Sequence, residues 1–201
     1  MEQIFTQNFL TENYFLALAG LHPEIQQKAY EEVVEVLGTG NDDGEENASI
    51  DLETIGQLKY LEACIKESLR LITTVPIITR HLHSDLHLDN GCVIPAGTDL
   101  SVSIVGLHTS PVYYERPDEY RPERFFEPTA DRSAYAFIPF SAGSRNCIGQ
   151  RFAMTNLKTS IAFLLRKLRF QSLTPLHEMK NRFEIVTKPD AELPVRVYPR
   201  K

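Results

Sequence analysis

Residues 137–154 read FIPFSAGSRNCIGQRFAM, and the run continues without a break into TNLKTSIAFLLRKL, which ends at 168. Phe152, Leu157, Ile161, Leu164 and Leu165 recur at helical spacing with no glycine or proline among them, so a helix is predicted over 150–168. Cys147 therefore falls in the loop that feeds this helix, where unpaired amides and the helix dipole favour a negatively charged sulfur. Around it, Gly143 and Gly149 let the main chain turn tightly and approach a flat partner, Arg145 offers a cation, and Phe140 can shield the sulfur from water. A solitary cysteine is more often an inert, buried small hydrophobe. The company Cys147 keeps separates it from that reading.

A fixed loop, a close backbone approach and surroundings that keep sulfur deprotonated are what a thiolate needs to hold haem iron. Cys147 is accordingly the candidate axial ligand. Phe140, Gly143 and Gly149 shape its loop, and Arg145 is placed to bond a carboxylate such as a haem propionate.

Upstream, Pro111, Pro117, Pro122 and Pro128 alternate with aromatic and charged residues, so 104–139 is read as a meander held by side chains. Between 72 and 103, short apolar runs are broken at Asp89, Asn90, Gly91 and again from Pro95 to Gly97, the pattern of a small antiparallel sheet. Thr54 to Leu71 places Leu58, Leu61, Ile65 and Leu69 at steps of three and four, which predicts a single helix. The first element assigned is a helix over 22–37, with Pro23 in its first turn and Gly38 as its stop. TGNDDGEENAS, over 39–49, has nothing to bury and reads as a solvated loop rather than a cation site. Strands near Phe183 to Thr187 and Val195 to Tyr198 are expected in the 169–201 segment.

The 201 residues are 42% hydrophobic and 24% charged, enough for one real core. A net charge of −6 gives no basic field for nucleic acid. Cys64, Cys92 and Cys147 are widely spaced and odd in number, which argues against a disulfide framework or a zinc site, and Cys64 and Cys92 read as structural. His81, His83 and His87 alternate like strand residues and have no evident fourth ligand. MEQIFTQNFL lacks the basic start and apolar core of a leader, and no apolar run is long enough for a membrane span.

From about His22 onward these segments resemble the cytochromes P450, and within them the animal family 4 branch. FIPFSAGSRNCIGQRFAM is similar to that branch's haem-binding loop, KYLEACIKESLRL to its helix with the ExxR pair, and VPIITR, VIPAGT and YERPDEYRPERF to its connecting segments. The fold implied is mainly α with small antiparallel β-sheets (α+β), the carboxy-terminal part of the cytochrome P450 fold, with residues 1–201 forming part of one haem domain. By the resemblance, Cys147 is the proximal iron ligand, and Arg145 and Arg80 bind haem propionates. Glu67 and Arg70 share a helix face, and the resemblance joins them to Arg124 of PERF. A carboxylate between two guanidiniums would clamp the meander, a role in assembly rather than catalysis.

The same resemblance implies a monooxygenase that takes electrons from NADPH through a reductase and inserts one oxygen atom into an apolar organic substrate, in the endoplasmic reticulum membrane. Arg151, Lys158, Arg166, Lys167 and Arg169 could help to dock an acidic electron-transfer partner, although a solvated helix face is the commoner reason for such charges. The sequence departs from the family ahead of His22. The expected Ala and Gly step followed by an acid and a Thr is missing, Thr11 and Glu12 are only faintly similar, and the chain is less than half the family length. Three other readings stay open: a non-catalytic haem-binding fragment, a haem-thiolate isomerase or dehydratase, and a fragment that takes no haem.

Overall fold

The computed structural model describes residues 2–39, 51–127 and 133–200, with side chains from Thr6 onward. The acidic loop expected over 39–49 and Pro128 of the meander lie outside the described residues, apart from Thr39. Six helices and four two-stranded antiparallel sheets are found among the described residues. The observed class is thus mainly α with small sheets.

The helix α1, Glu2–Leu21, precedes the first element expected from the sequence. Leu10, Tyr14, Phe15, Ala17, Leu18 and Ala19 are all buried, so α1 is covered on several sides and shows no single apolar stripe. That is why periodicity passed over it. His22 breaks the chain, and α2, Pro23–Leu37, ends at Gly38 with φ 76°, a conformation that suits glycine.

The single helix expected over Thr54 to Leu71 is two: α3, Leu52–Gln57, and α4, Lys59–Leu71. Asp51 starts α3 through a capping box with Thr54. At the break, Glu32 of α2 takes the Tyr60 and Leu61 amides at 2.7 and 2.8 Å. A carboxylate from another helix thus replaces the bonds that continuity would have supplied, and Leu58 is buried at the corner.

After α4, β1 (Ile77–His81) pairs with β4 (Asp99–Ser103), and β2 (Leu86–His87) pairs with β3 (Val93–Ile94). A short helix α5, Ile104–His108, opens the segment read as a meander, and Pro122–Phe125 forms a 3-10 turn within it. The helix after Cys147 is α6, Gln150–Lys167.

It runs directly into β5, Leu168–Ser172, which pairs with β8, Val195–Pro199. The strand expected from Phe183 to Thr187 is instead a hairpin: β6, Asn181–Phe183, turns through Glu184 to Val186 into β7, Thr187–Pro189. α1 lies so close to β5 that a Cβ on Gly20 would fall 2.6 Å from the Ser172 nitrogen. Buried Gln26 ties α2 to the same strand: its amide accepts the Phe170 N–H and donates to the Phe170 carbonyl, both at 2.9 Å.

The main core joins Phe15, Ala29, Val33, Leu61, Ile65, Leu157, Ile161 and Leu165. It places α4 and α6 against one another, with the Glu67 cluster on one and the Cys147 loop leading into the other.

Candidate functional site

Two polar centres meet at this core. In the first, Glu67 lies between Arg70 and Arg124. Its Oε2 accepts Arg70 Nε at 2.8 Å, and its Oε1 accepts Arg70 Nη2 at 2.9 Å, Arg124 Nε at 2.8 Å and the Arg121 amide at 2.9 Å. All three side chains are 0–2% exposed. The guanidiniums then reach the meander: Arg70 donates to the His108 and Glu119 carbonyls, and Arg124 to the Glu115, Arg116 and Glu119 carbonyls. Tyr114 puts its ring 5.0 Å from the Arg70 guanidinium and its hydroxyl on the Ala136 carbonyl. A proline-broken loop has no ladder of its own, so these donors satisfy its carbonyls.

The second centre is a cavity of about 270 Å³ lined by Cys147, Gly149, Arg145, Phe140 and Arg80. Cys147 is half-buried; its amide donates to the Phe140 carbonyl at 2.9 Å, and α6 begins three residues later. Gly143 does not line the cavity. It stands at φ 81° in the turn, where a side chain would be strained, while Gly149 at φ −85° serves as N-cap of α6.

Arg80 extends from β1, donating to its neighbour Thr79's carbonyl at 2.9 Å and reaching Ser141 Oγ at 3.4 Å. Arg145 is exposed and makes no hydrogen bond or ion pair with the described residues. Both guanidiniums therefore have donors to spare. The apolar walls include Val75, Ile78, Ala153 and Leu157. A cysteine, two arginines and apolar residues lining one cavity fit a flat macrocycle that carries carboxylates.

Sequence reading gave no role to three parts of this region. Gln7, Asn8 and Thr11 of α1 line the same cavity; Thr11 Oγ1 donates to the Gln7 carbonyl at 2.9 Å, and Asn8 bonds Asn156 of α6 at 3.2 Å. Glu12 does not line it. Ser141 takes φ 64°, which no local pattern announces. His108, fully buried, accepts the Ile138 amide through Nε2 at 2.9 Å. Burial, with the Arg70 charge assisting, lowers its pKa to about 4 against an opposing contribution from the Leu69 carbonyl.

The basic residues of α6 and the start of β5 do not form one exposed stripe. Lys158 is buried and paired with Glu62 at 3.1 Å, and Arg166 is buried, which leaves Arg151, Lys167 and Arg169 exposed. His81 pairs with Asp99 at 2.8 Å on the open face of its sheet, and His83 lies against the His81 ring. Cys64 is fully buried, and its thiol pKa is raised by burial. Cys92 is exposed.

The structure thus combines an α-rich body, a half-buried cysteine in a loop at a helix start and a buried Glu–Arg–Arg cluster that holds the meander before that loop. The family model described as Cytochrome P450 matches residues 10–193, and the chain belongs to that family. It is 44% identical over 154 residues to cytochrome P450 4d2 of Drosophila melanogaster, covering 77% of this chain and 30% of that protein. To human cytochrome P450 4X1 it is 43% identical over 78% of this chain and 30% of the relative. To human cytochrome P450 4F2 it is 41% identical over 89% of this chain and 33% of the relative. The chain thus spans about a third of the length of the curated relatives it matches. Among the described residues no helix is long and apolar enough to cross a membrane.

Proposed function

We propose that the chain is the iron-binding part of a haem-thiolate monooxygenase, with Cys147 as the axial ligand of haem iron. The observation that carries this reading is the shared cavity: Arg80 of β1 and the loop that holds Arg145 and Cys147 come from separate stretches of sequence and line one space with apolar residues such as Val75, Ile78 and Leu157. Bound there, haem would supply the oxygen chemistry, inserting one atom of O2 into an apolar organic substrate with electrons that a reductase draws from NADPH.

The chain's own residues do the holding. The start of α6 follows Cys147 by three residues, and Phe140 and Leu157 line the same cavity. Arg80 and Arg145 would bond the propionates, Arg80 being steadied by Thr79 and Ser141. Glu67, Arg70 and Arg124 fix the meander that leads into the loop, within what we read as part of a single haem domain. Placement in the endoplasmic reticulum membrane follows from the same family reading.

The reduced chain with added haem should give the strongly red-shifted carbon monoxide band of thiolate ligation, and Cys147→Ser should lose it. A band unchanged in Cys147→Ser would remove Cys147 as the ligand. No band in either protein would favour the reading in which this chain builds no haem site.

A further inference from the structure

His108 sits at the end of α5, fully buried, bonded on one side to the Glu67 cluster and on the other to the segment that enters the Cys147 loop. Its carbonyl accepts Arg70 Nη1 at 2.9 Å, which anchors its main chain to the Glu67 cluster. On the other side, its Nε2 accepts the Ile138 amide at 2.9 Å. The ring stacks on Phe137, with centroids 5.1 Å apart, and Phe137 packs edge-on against Phe125 of the meander at 5.0 Å.

From Ile138 the connection continues along the loop. The Ile138 carbonyl accepts the Ser141 amide at 3.0 Å, and the Phe140 carbonyl accepts the Cys147 amide at 2.9 Å. Fixing the main chain at Ile138 therefore fixes the strand of loop against which Cys147 is bonded. The contact is also selective in chemistry: Nε2 can accept a hydrogen bond only in the neutral ring with hydrogen on Nδ1. Burial and the Arg70 charge favour that neutral state.

We propose that His108 is the positioning residue of the Cys147 loop: its imidazole holds the Ile138 main chain in register with the Glu67–Arg70–Arg124 cluster and so sets where Cys147 presents its sulfur. The effect on loop position stands on these contacts; the consequence for iron ligation rests on the haem-thiolate reading. A ring that only filled space would be replaceable by another aromatic ring. A ring that acts as an acceptor would be replaceable by a side chain with an oxygen at the same reach.

The test is amide hydrogen exchange at Ile138, read by NMR in the full chain without haem, for the unsubstituted protein, His108→Phe and His108→Gln. The phenylalanine variant keeps the stacking and loses the acceptor, so Ile138 should exchange about tenfold faster. The glutamine variant keeps an acceptor and should restore protection. His108→Phe with unchanged exchange, or the two variants equally fast, overturns the proposal.

The carbon monoxide spectrum adds the functional arm. His108→Phe should lower the fraction of red-shifted band, and His108→Gln should recover it. A full band in His108→Phe overturns the link to ligation. The unsubstituted chain failing to give the band removes the haem reading instead, and the exchange result still decides loop position.

Discussion

The Glu67 cluster and the Cys147 loop both hold guanidinium groups, in opposite states. In the cluster, one carboxylate and two guanidiniums are 0–2% exposed, and the carboxylate oxygens are fully engaged at 2.8 to 2.9 Å. In the loop, Arg145 is exposed without a bond among the described residues, Ile148 is 101% exposed, and Cys147 is half-buried. The cluster is completed by the chain itself, because buried charges are tolerated only when paired and bonded. The loop holds unspent donors and a half-covered sulfur, which are the groups the proposed haem site would use.

Glu67→Ala should break the comparison most forcefully, since it leaves two buried guanidiniums without their carboxylate. A loss of about 3–5 kcal/mol is expected in denaturant unfolding. A loss below about 1 kcal/mol would place the cluster with ordinary surface pairs.

Next in size is the response to acid of the residue that joins the two centres. His108 is held near pKa 4 against an ordinary value of 6.5, so the unfolded chain takes up a proton that the folded chain refuses. Stability due to this group is intact above pH 6.5 and falls at up to about 1.4 kcal/mol per pH unit as the pH drops toward 4. Comparing unfolding of the unsubstituted chain with His108→Gln between pH 7 and 5 isolates it from the carboxylates. Parallel curves would show that His108 does not carry the acid sensitivity.

Haem itself should stabilise the loop and leave the cluster unchanged. At a hundredfold excess over its Kd it raises stability by about 2.7 kcal/mol. Hydrogen exchange should slow over 138–149 far more than around Glu67. Uniform slowing would mean that the link through His108 carries the effect of haem from the loop into the cluster.

Arg145→Ala is expected to have the smallest effect on the haem-free chain, within about 0.5 kcal/mol, because the side chain touches little. The same change should weaken haem binding in a titration. A large loss of stability without haem would show that Arg145 belongs to the architecture rather than to the site.

Much of this was legible along the sequence because its signals are local. The helix after Cys147 shows an unbroken 3.6-residue period, and the turn at Gly143 is announced by its glycine. Glu67 and Arg70, three apart, had to share a face. By contrast, α1 escaped because burial on several sides erases the stripe that periodicity detects. The division of α3 from α4 escaped because its cause, Glu32, lies 28 and 29 residues from the amides it bonds. The hairpin at 183–187 has the apolar residues of a strand, but Glu184 to Val186 turn so that β6 and β7 can pair.

By itself the sequence determined the cysteine loop, the helix that follows it and the kinds of residue gathered around the sulfur, since each depends on neighbours a few positions apart. Only the tertiary structure decided which residues meet. It brought Gln7, Asn8 and Thr11 to the cavity of Cys147, buried Lys158 against Glu62, and set His108 between the cluster and the loop. Those placements depend on how α1, α4, α5 and α6 pack to cover one another's apolar faces. Side chains distant in sequence are paired by that packing, and no local period encodes it.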